Sequence, residues 1–255
     1  MNILVLVKQT FDTEEKIAVQ NGQIIEDGVE FIMNPYDEYA IEEAVKVKEE
    51  KGGEVTVLTV GPARSDSVLR TALAMGADKA VRIEQEEGEY DEFVVAKWLA
   101  AAIRNRSFDL ILGGNLAVDS GAGQVAVRVA EELDIAHVSS ITKLSLDGRK
   151  AIIERNVEGD LEIIEASLPV LLTAQQGLNE PRYPSLPGIM KAKKKPLEVI
   201  SISDLGLSEE ESQALTVVTD QYLPGKKEAG RVLQGEVKQQ VRELAQLLRT
   251  EAKVI

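Results

Sequence analysis

Two kinds of segment alternate along residues 1–133: short apolar runs of strand length, and longer stretches in which apolar residues recur with a helical period. Alternation of strand and helix is typical of a parallel sheet that carries helices on both faces. The predicted order is strand Ile3–Val7, helix Ala40–Lys48, strand Glu54–Val60, helix Ser65–Met75, strand Ala80–Ile83, helix Phe93–Arg104, strand Asp109–Leu112 and helix Gly123–Leu133.

The pattern changes from about Val138 onward. Apolar and polar residues alternate there with a period of two, and Asp147-Gly148 and Glu158-Gly159 favour tight turns between the runs. The segment is therefore predicted to be an antiparallel meander added to the parallel core. Its strands are Thr142–Leu146, Ala151–Val157 and Leu161–Ala166, followed by a further strand over Pro169–Ala174.

These patterns predict two parts. Residues 1–199 would form an α/β domain, a doubly wound and mostly parallel sheet with the antiparallel extension within residues 138–174. Core-like runs become sparse after Pro196, so residues 200–255 are predicted to form an extended C-terminal arm with one polar helix, about Glu236–Glu251. A chain of 255 residues, of which 44% are hydrophobic, suffices for one such domain with a sizeable core.

Charge and composition exclude several classes of function. A net charge of −14 opposes nucleic-acid binding, because it repels phosphates, although a helix N-terminus can still hold one nucleotide locally. The chain has no cysteine and one histidine, which excludes disulfides, thiol nucleophiles, iron–sulfur clusters and multi-histidine metal sites. A Ser-His-Asp triad would have to use His137, whose apolar neighbours predict a structural role.

The first residues, Met1–Lys8, lack a basic leader, and their apolar run is only of strand length. Apolar runs elsewhere are also shorter than the roughly 18–20 residues that a membrane span needs. We therefore expect a soluble protein located in the cytoplasm.

A glycine-rich segment, Gly113–Val125 (GGNLAVDSGAGQV), lies between a predicted strand and a predicted helix. Its glycines allow close approach of the backbone to a ligand, and the N–H groups that open the helix lack partners within it. This chemistry suits a phosphate. A G-x-G-x-x-A match at Gly121–Ala126 adds little, because it does not directly follow the strand. A plain tight turn remains the alternative.

Three more segments follow predicted strands or open a predicted helix: Leu6–Lys8, Asn34–Asp37 and Val60-Gly61. In open α/β sheets, ligands bind beyond the carboxyl ends of the strands, where the strand order switches. Together with Gly114–Val125, these segments are predicted to form one nucleotide cleft. A simpler role for Asn34 and Asp37 is to cap the first helix.

A third region of interest, Arg182–Lys195, combines prolines, apolar side chains and four lysines. The run Pro181–Pro187 (PRYPSLP) predicts a loop with restricted backbone freedom. Apolar residues such as Tyr183, Leu186 and Met190 beside charges often mark a partner site. A buried loop with a solvated lysine face fits the spacing equally well.

Four long stretches follow patterns specific to one family. Asn34–Ala44 (NPYDEYAIEEA) has the form N-P-x-x-E-x-A-x-E-E-A, and Arg70–Lys79 (RTALAMGADK) matches nearly residue for residue. Ile153–Thr173 (IERNVEGDLEIIEASLPVLLT) shows a basic residue, an acidic-glycine turn, Glu, and Pro before an apolar triplet; Leu178–Lys195 (LNEPRYPSLPGIMKAKKK) is again close to verbatim. The chain thereby resembles the beta, or small, subunits of electron-transfer flavoproteins over nearly its whole length.

The resemblance implies a subunit of a heterodimeric electron carrier rather than an enzyme. A larger alpha subunit would make most contacts to the redox FAD, Tyr36 would lie near that flavin, and the C-terminal arm would contact the alpha subunit. The beta subunit would bury AMP, with its phosphate at Gly123, Gln124 and Val125. The implied nucleotide-binding residues are Leu6, Asn34, Pro35, Tyr36, Asp37, Val60, Gly114, Asn115, Leu116, Ala117, Val118, Asp119, Ser120, Gly121, Ala122, Gly123, Gln124 and Val125.

The resemblance also implies that residues 182–191 are a recognition loop for acyl-CoA dehydrogenases of fatty acid β-oxidation, with Leu186 as the apolar anchor. A single desolvated anchor can dominate a transient interface, and nearby lysines can speed encounter with an acidic partner. A quinone oxidoreductase or another acceptor would take the electrons toward the respiratory chain. The loop residues are Arg182, Tyr183, Pro184, Ser185, Leu186, Pro187, Gly188, Ile189, Met190 and Lys191.

Departures from the family pattern leave alternatives open. The phosphate loop reads S-G-A-G-Q-V, where mitochondrial-type members have an N-Q-T tripeptide. Its Gln124-Val125 pair is similar to relatives that hold a second FAD and bifurcate electron pairs, but their D-x-T-A-Q-V-G-P run is not reproduced, so AMP is favoured. Asn156 replaces a glutamate that can pair with an alpha-subunit arginine, so that ion pair is not expected. A nucleotide-sensing α/β domain without a redox role is a third hypothesis, against which Arg70–Lys79 argues.

Overall fold

The computed structural model describes residues 1–85, 90–227 and 229–255. The strands within them are β1 (Asn2–Leu6), β2 (Gln9–Phe11), β3 (Ala18–Gln20), β4 (Gln23–Ile25), β5 (Phe31–Met33), β6 (Glu54–Gly61), β7 (Lys79–Glu84), β8 (Leu110–Gly114), β9 (Ala136–Asp147), β10 (Lys150–Val157), β11 (Asp160–Ser167), β12 (Val170–Ala174) and β13 (Leu197–Ser201). The α-helices are α1 (Pro35–Lys51), α2 (Asp66–Met75), α3 (Glu92–Arg104), α4 (Val125–Glu132), α5 (Leu186–Ala192) and α6 (Val237–Thr250).

Nine strands form one sheet in the order β11-β10-β9-β12-β8-β1-β6-β7-β13. From β9 to β13 along this order, neighbouring strands are parallel, whereas β9, β10 and β11 pair antiparallel. The prediction of a doubly wound, mostly parallel sheet with an antiparallel extension is thus confirmed. The pairs β2–β5 and β3–β4 were not predicted, because three-residue strands are too short to show a hydrophobic period.

The strand order switches at β1. The chain runs from β1 outward through β6 and β7 on one side, and then crosses to β8 on the other side of β1. Connections that leave β1 and β8 in opposite directions open a crevice between the carboxyl ends of these two strands, which is where open α/β sheets bind ligands.

Two apolar clusters cover the two faces of the sheet. One cluster joins Ile41 of α1 and Leu69 of α2 to strand residues such as Val57. The other joins Trp98 of α3 and Val129 of α4 to residues on the opposite face. Because alternate side chains of a strand point to opposite faces, strands covered on both sides have the continuous apolar runs seen in the sequence.

Several element boundaries differ from the predicted ones. Helix α1 begins at Pro35 rather than Ala40, because proline is tolerated in a first helical turn and the acidic Asp37 and Glu38 interact favourably with the helix dipole. Helix α4 begins at Val125, because Gly123 has a left-handed φ of 61°. Strand β9 begins at Ala136, well before Thr142, and pairs with β12 before it enters the meander.

The proline-bordered segment is only partly a loop. Helix α5 occupies its second half, because the Ser185 side chain caps the helix and Pro187 falls in the first turn, where a missing N–H group has no consequence. The polar helix of the arm is confirmed as α6. Strand β13 (Leu197–Ser201) spans the predicted boundary between residues 199 and 200. The division into a domain and an arm stays a prediction. Among the described residues, helices long and apolar enough to cross a membrane are absent.

Candidate functional site

A cavity of about 300 Å³ opens at the carboxyl ends of β1, β6 and β8. It therefore lies at the switch in strand order, where the nucleotide cleft was predicted. Many of the predicted residues line it: Leu6, Asn34, Asp37, Val60, Gly114, Asn115, Leu116, Ala117, Ser120, Ala122, Gly123, Gln124 and Val125. The predicted residues Pro35, Tyr36, Val118, Asp119 and Gly121 are not among the lining residues.

Sequence reasoning missed one wall of this cavity. Its residues come from the end of β7, the start of α3 and the first turn of α4, and the rule that ligands bind beyond strand ends points to the β7–α3 connection as well. The missed lining residues are Gln85, Tyr90, Asp91, Glu92, Val95, Leu99 and Ala126.

Asp37 is a buried carboxylate that joins three elements at the base of the cavity. The backbone N–H of Lys8 donates to one of its oxygens at 2.6 Å. The backbone N–H of Gly114 and the side-chain amide of Asn34 donate to the other, at 3.0 and 2.9 Å. Burial raises the pKa of Asp37 to about 7, although these hydrogen bonds and the charge of Lys8 lower it in part. Asp37 thus holds the ends of β1 and β8 against the start of α1.

Asn34 connects α1 to the glycine-rich loop. It occupies the N-cap position of α1, but its side chain makes no capping hydrogen bond, so the simpler alternative of a side-chain cap is wrong for Asn34. Its amide nitrogen instead donates to the carbonyl of Leu116, and its amide oxygen accepts from the N–H of Val118. The predicted residue Val118 therefore supports the cavity through its backbone.

Gly114 cannot carry a side chain in this arrangement. A Cβ atom there would collide with the Asp37 carboxylate and would lie 2.8 Å from Cβ of Tyr36. Only glycine lets β8 approach α1 this closely, and this approach brings the glycine-rich loop over the cavity.

The loop from β8 to α4 lines the cavity, and several of its N–H groups have partners within the chain: Val118 donates to Asn34 and Gly121 to Ala117. Gly121 and Gly123 have left-handed φ angles of 65° and 61°, which favour glycine. The first N–H groups of α4 lack intrahelical partners, and the helix dipole adds partial positive charge there. Lys8, which also lines the cavity, pairs with Asp119 at 2.8 Å. The start of α4 is therefore the part of the lining best suited to an anion, since the charge of Lys8 is balanced by Asp119.

Carboxylates lie on the wall at the start of α3. Asp91 caps α3 by accepting from the N–H of Val94 at 3.0 Å. Burial tends to raise the pKa of Asp91, but hydrogen bonds from Val94, Leu215 and Thr216 outweigh it and lower the pKa below its usual range. Asp91 and the neighbouring Glu92 give this wall a negative charge, opposite in sign to the partial charge at the start of α4.

The predicted recognition segment is fixed at its base and exposed at its tip. The Arg182 guanidinium pairs with Glu42 at 2.8 Å and with Glu49 at 2.6 Å, which ties it to α1. Beyond it, the side chains of Tyr183 and Leu186 are 94% and 80% exposed. The surface therefore presents apolar side chains on a rigid base, and the hypothesis of a wholly buried loop is wrong.

Contacts to α2 hold helix α5 in place. The Arg70 guanidinium donates to the carbonyls of Ala192 and Lys195, each at 2.8 Å. Gly188 lies so close to α2 that a Cβ atom would be 2.7 Å from the carbonyl oxygen of Ala74. These contacts give a physical reason for the residues Arg70–Lys79 that carried part of the family resemblance.

The remaining chemistry-bearing residue, His137, is exposed at the start of β9 and is not among the cavity-lining residues. Clusters of three or more histidine or carboxylate side chains suited to a metal ion are absent from the described parts of the chain.

Comparison with known proteins connects this geometry to a family. Residues 21–205 match the family model described as the electron transfer flavoprotein domain. The chain is 56% identical over 257 residues to the electron transfer flavoprotein subunit beta of Bacillus subtilis (strain 168), with 100% of both chains covered. The chain belongs to the family of electron transfer flavoprotein beta subunits.

Further relatives are similar to this chain over most of their length. The human subunit is 40% identical over 213 residues, which cover 81% of this chain and 84% of the human one. Subunit CarD of the caffeyl-CoA reductase-Etf complex of Acetobacterium woodii is 38% identical over 242 residues, or 92% of each chain. Membership of this family gives the chain a role in electron transfer, an association with FAD and an alpha subunit as partner.

Proposed function

We propose that this chain is the beta subunit of a heterodimeric electron carrier and that its own cavity holds AMP as a structural nucleotide. The FAD held with the alpha subunit accepts electrons from acyl-CoA and related dehydrogenases and passes them to a quinone oxidoreductase or another acceptor. The beta subunit contributes no catalytic residue in this proposal. The observation that carries it is the cavity at the strand switch, bounded by the glycine-rich loop and the start of α4.

The size of the cavity supports a mononucleotide. Pockets for small molecules and cofactors span about 300–1,000 Å³, and a volume of about 300 Å³ lies at the lower end of that range. A whole FAD, with two nucleotides and a flavin ring, requires more room than one nucleotide. AMP is therefore favoured over FAD in this cavity.

The distribution of charge supports one orientation of that nucleotide. The N–H groups at the start of α4 favour a phosphate on one side, where the ammonium of Lys8 is paired with Asp119 and adds little net charge. The carboxylates of Asp91 and Glu92 disfavour it on the other side. Apolar side chains such as Leu6 suit the base and the ribose, so the phosphate belongs at Gly123–Val125, as the family resemblance implied.

AMP would act here by linkage rather than by redox chemistry. A ligand that binds only the folded state stabilises it by about 2.7 kcal/mol when its concentration is 100 times its Kd. The same binding energy would support the heterodimer if the alpha subunit contacts the folded beta subunit only.

Two exposed surfaces fit the proposed partners. Leu186 on α5, with lysines close behind it, suits the transient contact with dehydrogenases. The apolar side chains of the arm, residues 200–255, suit the permanent contact with the alpha subunit. Tyr36 is half-buried outside the cavity lining, which leaves it available to a flavin held by that subunit.

The test is nucleotide stoichiometry. This chain is co-purified with its alpha partner, the complex is denatured, and released nucleotides are quantified by chromatography with mass detection. One FAD and one AMP per heterodimer are expected. A heterodimer that carries FAD but releases no second nucleotide would contradict the assignment of the cavity.

A second candidate function is electron bifurcation with a second FAD in the beta cavity. Two observations favour it: the Gln124-Val125 pair at the start of α4, and the similarity to a subunit of the caffeyl-CoA reductase-Etf complex. The same measurement separates the two functions. Two FAD and no AMP per heterodimer would make the beta cavity a redox centre and would replace the AMP proposal.

A further inference from the structure

Asp91 occupies a position where three parts of the chain meet. It is the N-cap residue of α3, it lines the cavity, and it accepts hydrogen bonds from the arm. Only 9% of the residue is exposed. The two functions of capping a helix and holding the arm fall on different oxygens of one carboxylate.

The hydrogen bonds of Asp91 divide cleanly between helix and arm. One oxygen accepts from the N–H of Val94 within α3 at 3.0 Å. The other accepts from the N–H groups of Leu215 and Thr216, at 2.8 and 2.9 Å, and from the hydroxyl of Thr216 at 3.1 Å. A buried carboxylate with four donors is a strong and directional link, and it fixes the arm at one place along its length.

Packing reinforces this link. From the first two turns of α3, Glu92, Val95 and Leu99 line the cavity. On the arm side, Leu205, Leu207 and Ala214 pack against the apolar cluster that contains Trp98 of α3. Helix α3 is therefore shared between the cavity and arm segment 205–216, and a displacement of its first turn changes both.

We propose that Asp91 is a positioning residue that couples nucleotide occupancy of the cavity to the docking of arm segment 205–216. A nucleotide that fills the space between α3 and the glycine-rich loop fixes the first turn of α3, and with it the orientation of the Asp91 oxygen that holds the arm. By linkage, a docked arm increases the affinity of the cavity for the nucleotide by the same factor. The inference rests on the proposed function, which assigns AMP to the cavity.

Amide hydrogen exchange of the full chain tests the coupling directly. The N–H groups of Leu215 and Thr216 are the reporters, because they donate to Asp91 and exchange when the arm detaches. Exchange is measured by NMR on the nucleotide-free chain and after saturation with AMP, whose binding is confirmed separately by equilibrium dialysis. We expect AMP to slow exchange at both amides at least about fivefold, the lower end of typical coupling between sites.

Two variants separate coupling from simple loss of stability. Asp91→Asn keeps an oxygen to cap α3, because asparagine is a good N-cap residue, but places an amide donor against the arm donors. Its AMP-dependent slowing is expected to fall toward onefold. Ser208→Ala is the matched control: within the same arm segment it removes the hydrogen bonds that the Ser208 hydroxyl makes with Glu211, none of which involves Asp91, and it is expected to retain the full effect of AMP.

The outcomes distinguish this inference from the proposed function. If AMP binds and the two amides exchange at unchanged rates, the coupling is wrong and the AMP site stands. If AMP does not bind, both fail. Equal slowing in the Asp91→Asn and unaltered chains would remove Asp91 from the coupling. Should Asp91→Asn not fold, Thr216→Val is used instead, because it removes only the hydroxyl contact to Asp91. In this variant AMP is expected to slow amide exchange less than it does in the unaltered chain.

Discussion

The cavity region and the C-terminal arm differ in how far their apolar side chains are buried within the chain. Around the cavity, apolar residues such as Leu112 are fully buried, and the buried polar groups of Asn34 and Asp37 have partners within the chain. In the arm, Val218 and Tyr222 are 72% and 81% exposed. The first region completes its own core, whereas the second presents apolar surface that a further surface must cover.

Helix α6 shows the same contrast within one element. Its apolar residues recur along one face, but the helix contains no buried residue. Helices α2 and α3 have similar stripes and bury them against the sheet. An amphipathic helix without a core to face is what the proposed contact with the alpha subunit requires.

The sharpest test of this contrast replaces one leucine in each region. Leu112→Ala leaves a cavity in the core and is expected to lower the free energy of unfolding by about 2–5 kcal/mol. Leu244→Ala on α6, where leucine is 49% exposed, is expected to change it by less than about 0.5 kcal/mol. Urea denaturation of the isolated chain measures both changes.

Association with the alpha subunit should reverse the order. Leu244→Ala is expected to weaken the heterodimer, while Leu112→Ala, at a temperature where it remains folded, is expected to leave the association constant nearly unchanged. Isothermal titration of the alpha subunit gives both constants. An arm variant that lowers the stability of the isolated chain as much as Leu112→Ala would show that the arm belongs to the core.

The next largest effect concerns the titration of Asp37. The folded-state pKa of about 7 lies above the value of about 3.9 in an unfolded chain. Between these values the folded chain retains a proton that the unfolded chain has lost. The free energy of unfolding therefore falls as pH rises, by up to about 1.4 kcal/mol per pH unit, until about pH 7, and is flat above it.

Asp37→Asn removes this titration and serves as the reference. Unfolding of the nucleotide-free chain and of the variant is measured at pH 5, 6, 7 and 8. The stability advantage of the unaltered chain over Asp37→Asn is expected to shrink from pH 5 to 7. A constant difference would mean that the donors at Lys8, Gly114 and Asn34 keep the carboxylate ionised throughout.

The sequence predicted the sheet well and the cavity in part, because some features of each leave a local pattern in the sequence. Strands covered on both faces have apolar runs, and glycines at strand ends reveal the β8–α4 loop. The start of α3 gave no comparable signal, because Asp91 and Glu92 look like ordinary acidic residues of a first helical turn. Their position beside the cavity depends on how β7 and α3 pack, which spacing alone does not specify.

Side-chain partners were the hardest to predict. Asn34 before a proline has the composition of a cap, yet its amide bonds to Leu116 and Val118, which are distant in sequence. Ser185 and Pro187 fit a loop or a helix start equally by composition, and the structure shows the helix start, with the Ser185 side chain accepting from the N–H of Gly188. Long-range contacts of this kind leave no local pattern.

A smaller effect is expected at the base of the recognition segment. Arg182→Ala leaves the buried Glu42 carboxylate without its ion-pair partner and releases the segment from α1. Because the Arg182 side chain is 35% exposed, solvent screens part of the loss, and we expect about 1–2 kcal/mol in the free energy of unfolding. Chemical denaturation measures it, and Arg182→Lys, which cannot bind both glutamates in the same fork geometry, should recover only part.

The smallest effect on stability is expected at the tip of the same segment. Leu186→Ala removes a side chain that is 80% exposed, so the free energy of unfolding should change by less than about 0.5 kcal/mol. Electron acceptance from an acyl-CoA dehydrogenase should nevertheless slow about tenfold or more, because an apolar anchor can carry much of a transient interface. Val199→Ala, at an exposed position of β13, is the control and should leave the rate unchanged. Flavin content separates the two interpretations of a slow rate: unchanged FAD places the defect in docking, whereas loss of FAD from Leu186→Ala would move this surface from the dehydrogenase contact to the flavin site.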